Sequence, residues 1–233
     1  MQKKTVDAFD HYRETYSATV NSAVSFTGLD VDFFTRVKAD YISDLAVATF
    51  KSTDKLNVLD IGCGVGNFHS LVGPKFGSLH GVDVSPASIE KAQATHPNVS
   101  YRSYEGHRLP YDDHSFDLTF TICVMHHVPP RDRSGFVSEM LRVLRPGGLA
   151  LVFEHNPKNP LTMRAVNNCP FDEDAVLLPS AETIDLLRAA GFASVQSRFI
   201  LTLPAANSAL RAVDRLFSLI PLGAQYYVSA RRP

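Results

Sequence analysis

The spacing of apolar residues divides the chain into a helical start, an alternating middle and a mixed end. In the first part, Phe34, Val37, Tyr41 and Leu45 recur at steps of three or four residues. This period matches the turn of an α-helix, so residues on one side of such a helix would be apolar. The pattern therefore predicts an amphipathic helix over Val31–Phe50.

From residue 55 onward, short apolar runs alternate with helical patterns. The runs predict strands at Asn57–Ile61, Leu79–Val84, Val99–Tyr104, Phe116–Val124 and Leu149–Phe153. The patterns between them predict helices at Asn67–Phe76, Pro86–His96 and Arg131–Leu144. Such alternation favours an α/β fold with a mostly parallel sheet that helices cover on both faces.

The last third of the chain departs from this alternation. Its patterns predict a helix, a strand, a second helix and a last strand at Ala181–Ala190, Ala193–Leu203, Asn207–Ile220 and Gln225–Ala230. Because the last strand follows a helical insertion, we expect it to join the edge of the sheet in the antiparallel direction. The stretch Asn156–Leu178 is predicted to be a long irregular loop, and loops of that length are usually functional.

Composition and charge exclude several classes of protein. Apolar residues make up 45% of the chain and charged residues 20%, which is typical of a globular protein. A formal net charge of −1 gives no bulk attraction to nucleic acids or anionic membranes. Because the chain has neither a signal-peptide core nor an apolar stretch of about 18 residues, we expect a cytoplasmic protein without stable membrane insertion.

A glycine-rich loop follows the first predicted strand. Gly62, Gly64 and Gly66 lack a Cβ, so the backbone there can turn tightly and approach a ligand. A dinucleotide fingerprint would need a glycine where Asn67 stands, which argues against a nicotinamide cofactor. Asp83 ends the next predicted strand, 21 residues after Gly62, where a carboxylate can accept hydrogen bonds from ribose hydroxyls. The loop therefore indicates a ligand that carries an adenosine.

Five segments in this order resemble the class I S-adenosylmethionine-dependent methyltransferases, specifically their small "methyltransferase type 11" branch. They are VLDIGCGVGNF, GVDVS, LPYDDHSFD, VMHHV and LRVLRPGGLAL. The resemblance is close from Leu56 to Phe153. It implies a doubly wound, mostly parallel, seven-stranded Rossmann-like sheet with an antiparallel last strand and a helical N-terminal arm. It also implies S-adenosylmethionine as the cofactor, S-adenosylhomocysteine as the product and a small-molecule methyl acceptor.

The resemblance further assigns parts of the chain to the cofactor and to the acceptor. We expect one domain over residues 1–233, in which a helical arm or lid, a cofactor-binding core and an acceptor-side half with edge strands occupy residues 1–50, 55–155 and 156–233. The residues implied in contact with the cofactor are Asp60, Gly62, Cys63, Gly64, Asp83, Val84, Glu105, Gly106, Ile122 and Cys123. Among these, Asp83 would hold the ribose, and Glu105 and Gly106 would lie near the adenine. Glu105 departs from the aspartate that the family usually has at this position.

Candidate acceptor residues follow the fourth and fifth predicted strands, because open α/β sheets bind ligands beyond the carboxyl ends of their strands. His126 is a candidate general base, since imidazole titrates near neutral pH, or else a residue that shapes the pocket. His127, Glu154 and His155 are predicted to contact the acceptor, with the alternative that the last two begin a solvated loop. No metal is expected, because adjacent histidines in an extended segment point apart.

The resemblance places an acceptor lid at the N-terminal arm, with Tyr12, Tyr16 and the helix that carries Lys38. The leading prediction is methyl transfer from S-adenosylmethionine to an oxygen or nitrogen of a small metabolite. Two alternatives remain: C-methylation of a quinone-like lipid precursor, with the helix around Leu216 touching a membrane, or a cofactor-binding scaffold without catalysis. A nucleic-acid partner is not expected, because no basic surface or binding module is evident. The oligomeric state stays open.

Overall fold

The structure is a computed structural model that describes residues 16–204 and 207–233. Within these residues, the α-helices are α1 (Tyr16–Val24), α2 (Val31–Phe50), α3 (His69–Val72), α4 (Pro86–Thr95), α5 (Arg133–Val143), α6 (Pro160–Asn167), α7 (Ser180–Ala190) and α8 (Ser208–Leu216). The strands are β1 (Asn57–Ile61), β2 (Ser78–Asp83), β3 (Ser100–Ser103), β4 (Phe116–Ile122), β5 (Leu144–His155), β6 (Ala193–Ile200) and β7 (Gln225–Arg231). None of the described helices is long and apolar enough to span a bilayer.

The strands form a single seven-stranded sheet in the order β3-β2-β1-β4-β5-β7-β6. β1 to β5 pair in parallel, and β7 runs antiparallel to both of its neighbours. The prediction of a doubly wound α/β sheet with an antiparallel last strand is therefore confirmed. The predicted place of that strand was wrong, because β7 lies between β5 and β6 and β6 forms the edge.

Burial explains why β7 is an interior strand. Tyr226, Val228 and Ala230 pack in the apolar layer on one face of the sheet, and Tyr227 packs in the layer on the other face. Burial on both faces is typical of a strand inside a sheet, and β7 pairs with β5 on one side and with β6 on the other. β6 carries exposed polar residues such as Gln196, and such residues protect the edge of a sheet.

Two apolar layers enclose the sheet. Val37, Tyr41 and Ile42 of α2 belong to one layer, and Val137 and Met140 of α5 belong to the other. β5 alternates between them, with Leu151 and Phe153 in the first layer and Ala150 and Val152 in the second. This period of two is what a strand covered on both faces requires. The sheet is thus fixed on both sides, and its carboxyl edge positions the site.

Several predicted boundaries differ from those observed. The predicted loop Asn156–Leu178 contains α6, which is capped by the Asn159 side chain and begins at Pro160. The helix predicted over Asn67–Phe76 is reduced to α3 and a 3₁₀ turn at Gly73–Lys75. α2 has the predicted bounds, and Asp30 caps it by accepting a hydrogen bond from the Phe33 N–H at 2.7 Å.

Candidate active site

Three glycines with positive φ angles shape the loop between β1 and α3. Gly62, Gly64 and Gly66 have φ angles of 78°, 52° and 78°, a region that residues with a Cβ rarely adopt. Packing adds a second constraint at Gly62, where a Cβ would clash with the Val124 side chain. A Cβ at Gly64 would meet no atom within 4 Å, so the backbone there is open to a ligand.

The Asp83 carboxylate fixes this loop against the end of β2. Its Oδ2 accepts a hydrogen bond from the Gly64 N–H at 2.8 Å, and its Oδ1 accepts one from the Ser85 N–H at 2.9 Å. Burial raises the pKa of Asp83, and these N–H donors oppose the rise. Each carboxylate oxygen still has a lone pair for another donor. Asp83 can therefore bind ligand hydroxyls while it holds the loop.

A cavity of about 400 Å³ opens beside this loop, and we call it the first cavity. Its wall includes nine of the ten residues predicted for the cofactor, namely Asp60, Gly62, Cys63, Gly64, Asp83, Val84, Gly106, Ile122 and Cys123. Glu105 is exposed and does not line the cavity. Its neighbours Tyr104 and Gly106 do line the cavity, and the predicted contact of Glu105 with the adenine stays a prediction.

A second cavity of about 180 Å³ adjoins the first and shares five wall residues with it: Asn67, Phe68, Ile122, Cys123 and His127. Its apolar wall comes mainly from α1, α2 and α6, through residues such as Val24, Phe34, Leu161 and Val166. Its polar wall residues include Lys38, His126, His155, Asp172 and Gln225. The two cavities are therefore neighbours along this shared wall.

Glu154 anchors a buried hydrogen-bond cluster behind the second cavity. Its Oε1 accepts hydrogen bonds from the N–H groups of Val124 and Met125, at 3.1 and 2.7 Å. Its Oε2 lies 2.6 Å from Nδ1 of His126. β5 extends to His155, so Glu154 is fully buried instead of beginning a solvated loop, and it lines neither cavity. Glu154 therefore positions His126 from behind the second cavity, and its predicted contact with an acceptor stays a prediction.

Asp172 closes the cluster from a distant part of the chain. Its Oδ1 lies 3.5 Å from Nε2 of His126 and 3.3 Å from Nε2 of His127. The histidines lie in a 3₁₀ turn at Met125–His127, and their ring centroids are 4.2 Å apart. The expectation that they point apart was wrong, because it assumed an extended backbone. Their nitrogens and the Asp172 carboxylate lie within 4.8 Å of one another, a spacing that one cation could bridge.

The charges of this cluster decide what each histidine can do. Burial opposes a charge on His126, but Glu154 and Asp172 outweigh burial and raise the pKa of His126 to about 10. Although burial acts in the opposite direction, the His126 charge lowers the pKa of Glu154. At neutral pH, His126 is therefore an imidazolium between two carboxylates. A protonated ring has no lone pair, so this geometry argues against His126 as the general base.

The neighbouring imidazoles remain neutral. Burial lowers the pKa of His127, and the His126 charge lowers it further. The same two effects lower the pKa of His155 to about 4. His155 lines the second cavity, and its Nδ1 lies 3.4 Å from Nε2 of Gln225. His155 is thus an uncharged imidazole in the wall of the second cavity.

The predicted lid residues are only partly within the described chain. Tyr12 lies outside it, and Tyr16 is the first residue of α1. α1 contributes Val20, Ala23 and Val24 to the second cavity. The arm thus reaches the acceptor side through α1, and the roles of the two tyrosines stay predictions.

Sequence reasoning missed three polar residues of the site. His69 donates from Nε2 to the buried Asp60 carboxylate at 3.0 Å, and no spacing in the sequence marks it. Asp172 reaches the site because α6 precedes it in the chain, and Gln225 reaches it because β7 lies inside the sheet. Lys38 had a signal, because a lysine on the apolar side of an amphipathic helix is unusual.

Comparisons with known proteins agree with this geometry. Residues 58–148 match a family described as "Methyltransferase domain". A 2-methyl-6-phytyl-1,4-hydroquinone methyltransferase from Synechocystis is 30% identical over 54% of this chain and 41% of its own length. A probable S-adenosylmethionine-dependent methyltransferase from Mycolicibacterium smegmatis is 32% identical over 61% of this chain and 59% of its own length. The chain therefore spans less than two thirds of either relative.

A solved structure matches nearly the whole fold. It is a SAM-dependent methyltransferase of Thermotoga maritima described as a possible histamine N-methyltransferase, with a TM-score of 0.68 and 18% identity. The match covers 98% of this chain and 100% of the other. Residues 58–148 therefore match a methyltransferase domain, and the described chain has the fold of a solved SAM-dependent methyltransferase.

Proposed function

We propose that the protein transfers a methyl group from S-adenosylmethionine to an oxygen or nitrogen of a small-molecule acceptor. The observation that carries this proposal is the pair of adjoining cavities that share Ile122, Cys123 and His127. A cofactor in the first cavity could present its methyl group to an acceptor in the second beside these shared residues, provided that the sulfonium methyl and the acceptor atom meet in direct contact there. Methyl transfer depends mainly on such alignment and on the exclusion of water.

The first cavity fits the proposed cofactor. Gly64 leaves open space beside the backbone, and Asp83 offers fixed acceptor oxygens for the ribose hydroxyls. The Asp60 carboxylate lies in the same wall, and a hydrogen bond from His69 positions it. Asp60, Asp83 and the glycine loop would hold the cofactor. When bound, S-adenosylmethionine supplies an electrophilic methyl group on a sulfonium that is already a good leaving group.

The residues of the second cavity would then orient the acceptor. His127 and His155 are neutral imidazoles in this wall and would orient the acceptor by hydrogen bonds. The pKa of His155, lowered to about 4, makes that ring a poor proton acceptor. His126 would shape the wall as a positioning residue, since Glu154 and Asp172 hold it protonated. The apolar walls from α1, α2 and α6 would exclude water.

Calorimetric titration with S-adenosylmethionine, S-adenosylhomocysteine and NAD in parallel tests the cofactor. We expect micromolar binding of both sulfur ligands and none of NAD. Turnover is then followed by S-adenosylhomocysteine release with a panel of hydroxyl and amine acceptors. Tight cofactor binding without turnover of any acceptor would instead favour a scaffold without catalysis. Binding of neither sulfur ligand would overturn the proposed function.

C-methylation of a quinone-like lipid precursor is a second candidate. Apolar residues are exposed in and after α8, including Leu216 at 78% and Leu219 at 74%. The Asn159 amide donates to the carbonyl of Leu222 at 2.7 Å, which links this apolar surface to α6 beside the second cavity. A relative named for methylation of a phytyl hydroquinone agrees with this candidate. Carbon-bound methyl groups in the products of a hydroquinone assay would favour it over O- or N-methylation.

A further inference from the structure

Lys38 is a buried cation in the wall of the second cavity. The residue is only 6% exposed, and its Nζ lies 5.6 Å from the centroid of the Phe68 ring. Among residues 16–204 and 207–233, no carboxylate forms an ion pair with it, and no side chain or backbone group accepts a hydrogen bond from it. Buried lysines are rare unless they are paired. Lys38 therefore lacks the anion that its burial calls for.

The carboxylates nearest to the second cavity are already engaged. Both oxygens of Glu154 are held, by two backbone N–H groups and by His126. Asp172 is shared by His126 and His127. The charge of His126 thus balances this carboxylate pair in part, and neither carboxylate forms an ion pair with Lys38. Since no described residue supplies an anion to Lys38, a ligand is the remaining source of one.

Gln225 provides an independent sign that the second cavity holds a polar ligand. The residue is 6% exposed, and its Nε2 lies 3.4 Å from His155 and 3.9 Å from the Cys123 sulfur. Its Oε1 is buried without a hydrogen-bond partner among the described residues. Whichever way round the amide lies, one of its ends is unpartnered, and an unpaired buried polar group is costly.

We propose that Lys38 binds an anionic oxygen of the methyl acceptor, a carboxylate or a phosphate, while Gln225 hydrogen-bonds to a second polar atom of the same molecule. This inference rests on the proposed function, because it names the acceptor class of that site. It restricts the acceptor to small organic acids whose apolar part fits against Phe34, Phe68 and Leu161. Neutral analogues of the same shape would leave Lys38 unpaired.

Binding of benzoate, phenyl phosphate and benzamide to the full chain tests this proposal, because the three share a ring and differ in charge. Titrations are made by calorimetry with S-adenosylhomocysteine already bound. We expect one or both anions to bind about tenfold or more tightly than benzamide, the scale of a hydrogen bond to a charged group. The better anion tells a carboxylate acceptor from a phosphate acceptor. Failure of both anions to outbind benzamide, even at tens of millimolar, would overturn the proposal.

Variants of Lys38 test whether this residue causes the preference for anions. In Lys38→Met, which keeps the length of the side chain, we expect the anion preference to disappear, and in Lys38→Arg we expect it to remain. Lys158→Met is the matched control, because Lys158 is exposed and lines neither cavity. An anion preference that survives in Lys38→Met would contradict the assignment. Binding of S-adenosylhomocysteine is measured separately in each variant, so a failure of the cofactor site is distinguished from a failure of the acceptor site.

Discussion

The two cavities are built in opposite ways. The first is formed by one loop and the strand ends beside it, and its key contacts use backbone N–H groups, as in the bond from Gly64 to Asp83. The second is formed by side chains from separate segments, which meet at His126 and Lys38. Local backbone geometry thus defines the first cavity and its walls, which we call the cofactor half. Tertiary packing of charged side chains defines the second cavity and its walls, which we call the acceptor half after the proposed function. The halves should respond differently to mutation and to pH.

The largest expected effect is on the acceptor half. Glu154→Ala removes the carboxylate that holds His126 and leaves a buried imidazolium, so we expect the free energy of unfolding to fall by about 3–5 kcal/mol. Urea unfolding measures the change. Asp44→Ala is the control, because it removes an ion pair with Arg215 whose partners are about half exposed, and such pairs contribute about 0–1 kcal/mol. Equal losses in both variants would show that the buried cluster has no special stabilising role.

The second effect falls on the cofactor half. Asp83→Ala removes the carboxylate that accepts hydrogen bonds from the Gly64 and Ser85 N–H groups. We propose that the same carboxylate binds the ribose hydroxyls. We expect S-adenosylhomocysteine to bind about 1–3 kcal/mol more weakly, as measured by calorimetry. Asp112→Ala, at an exposed position outside both cavities, should leave the affinity unchanged. Full affinity in Asp83→Ala would remove the ribose assignment and leave the glycine loop as the main determinant.

The same contrast explains what could be predicted from the sequence. The strand at Asn57–Ile61, the glycine loop and Asp83 follow one another over a short stretch, so their contacts are encoded by local spacing. The position of β7 was missed because the alternation of apolar residues identifies a strand but not its place in the sheet. That place follows from the burial of β7 on both faces, at Tyr226 and its neighbours. Asp172 was missed because it follows α6, a helix of 8 residues that lies within an apparent loop.

A pH titration of stability separates the halves further. The pKa of His126 is raised from 6.5 to about 10 in the folded protein. Its stabilising contribution is therefore complete below about pH 6.5 and is lost as the pH rises toward 10. We expect the free energy of unfolding to decrease between about pH 7 and 8.5, by up to about 1.4 kcal/mol per pH unit.

The variant His126→Asn isolates this contribution, because asparagine does not titrate. Its free energy of unfolding should change much less over the same range of pH, which urea unfolding at several pH values would measure. His155, with its pKa lowered to about 4, acts in the opposite sense and only as the pH falls below about 6.5. A wild-type curve that is flat from pH 7 to 8.5 would mean that His126 is not protonated between the two carboxylates.

The smallest expected effect concerns metal ions. His126, His127 and Asp172 are close enough to bridge one cation, but a metal on His126 must displace a proton held with a pKa of about 10. At pH 7 this competition weakens binding by about a thousandfold, because metal ligands must be deprotonated. We therefore expect EDTA to leave the melting temperature and the affinity for S-adenosylhomocysteine unchanged. Cobalt(II) titration at pH 7 provides the opposing test: a stoichiometric visible absorption band that is lost in Asp172→Asn would mean that a metal replaces the proton at the centre of the acceptor half.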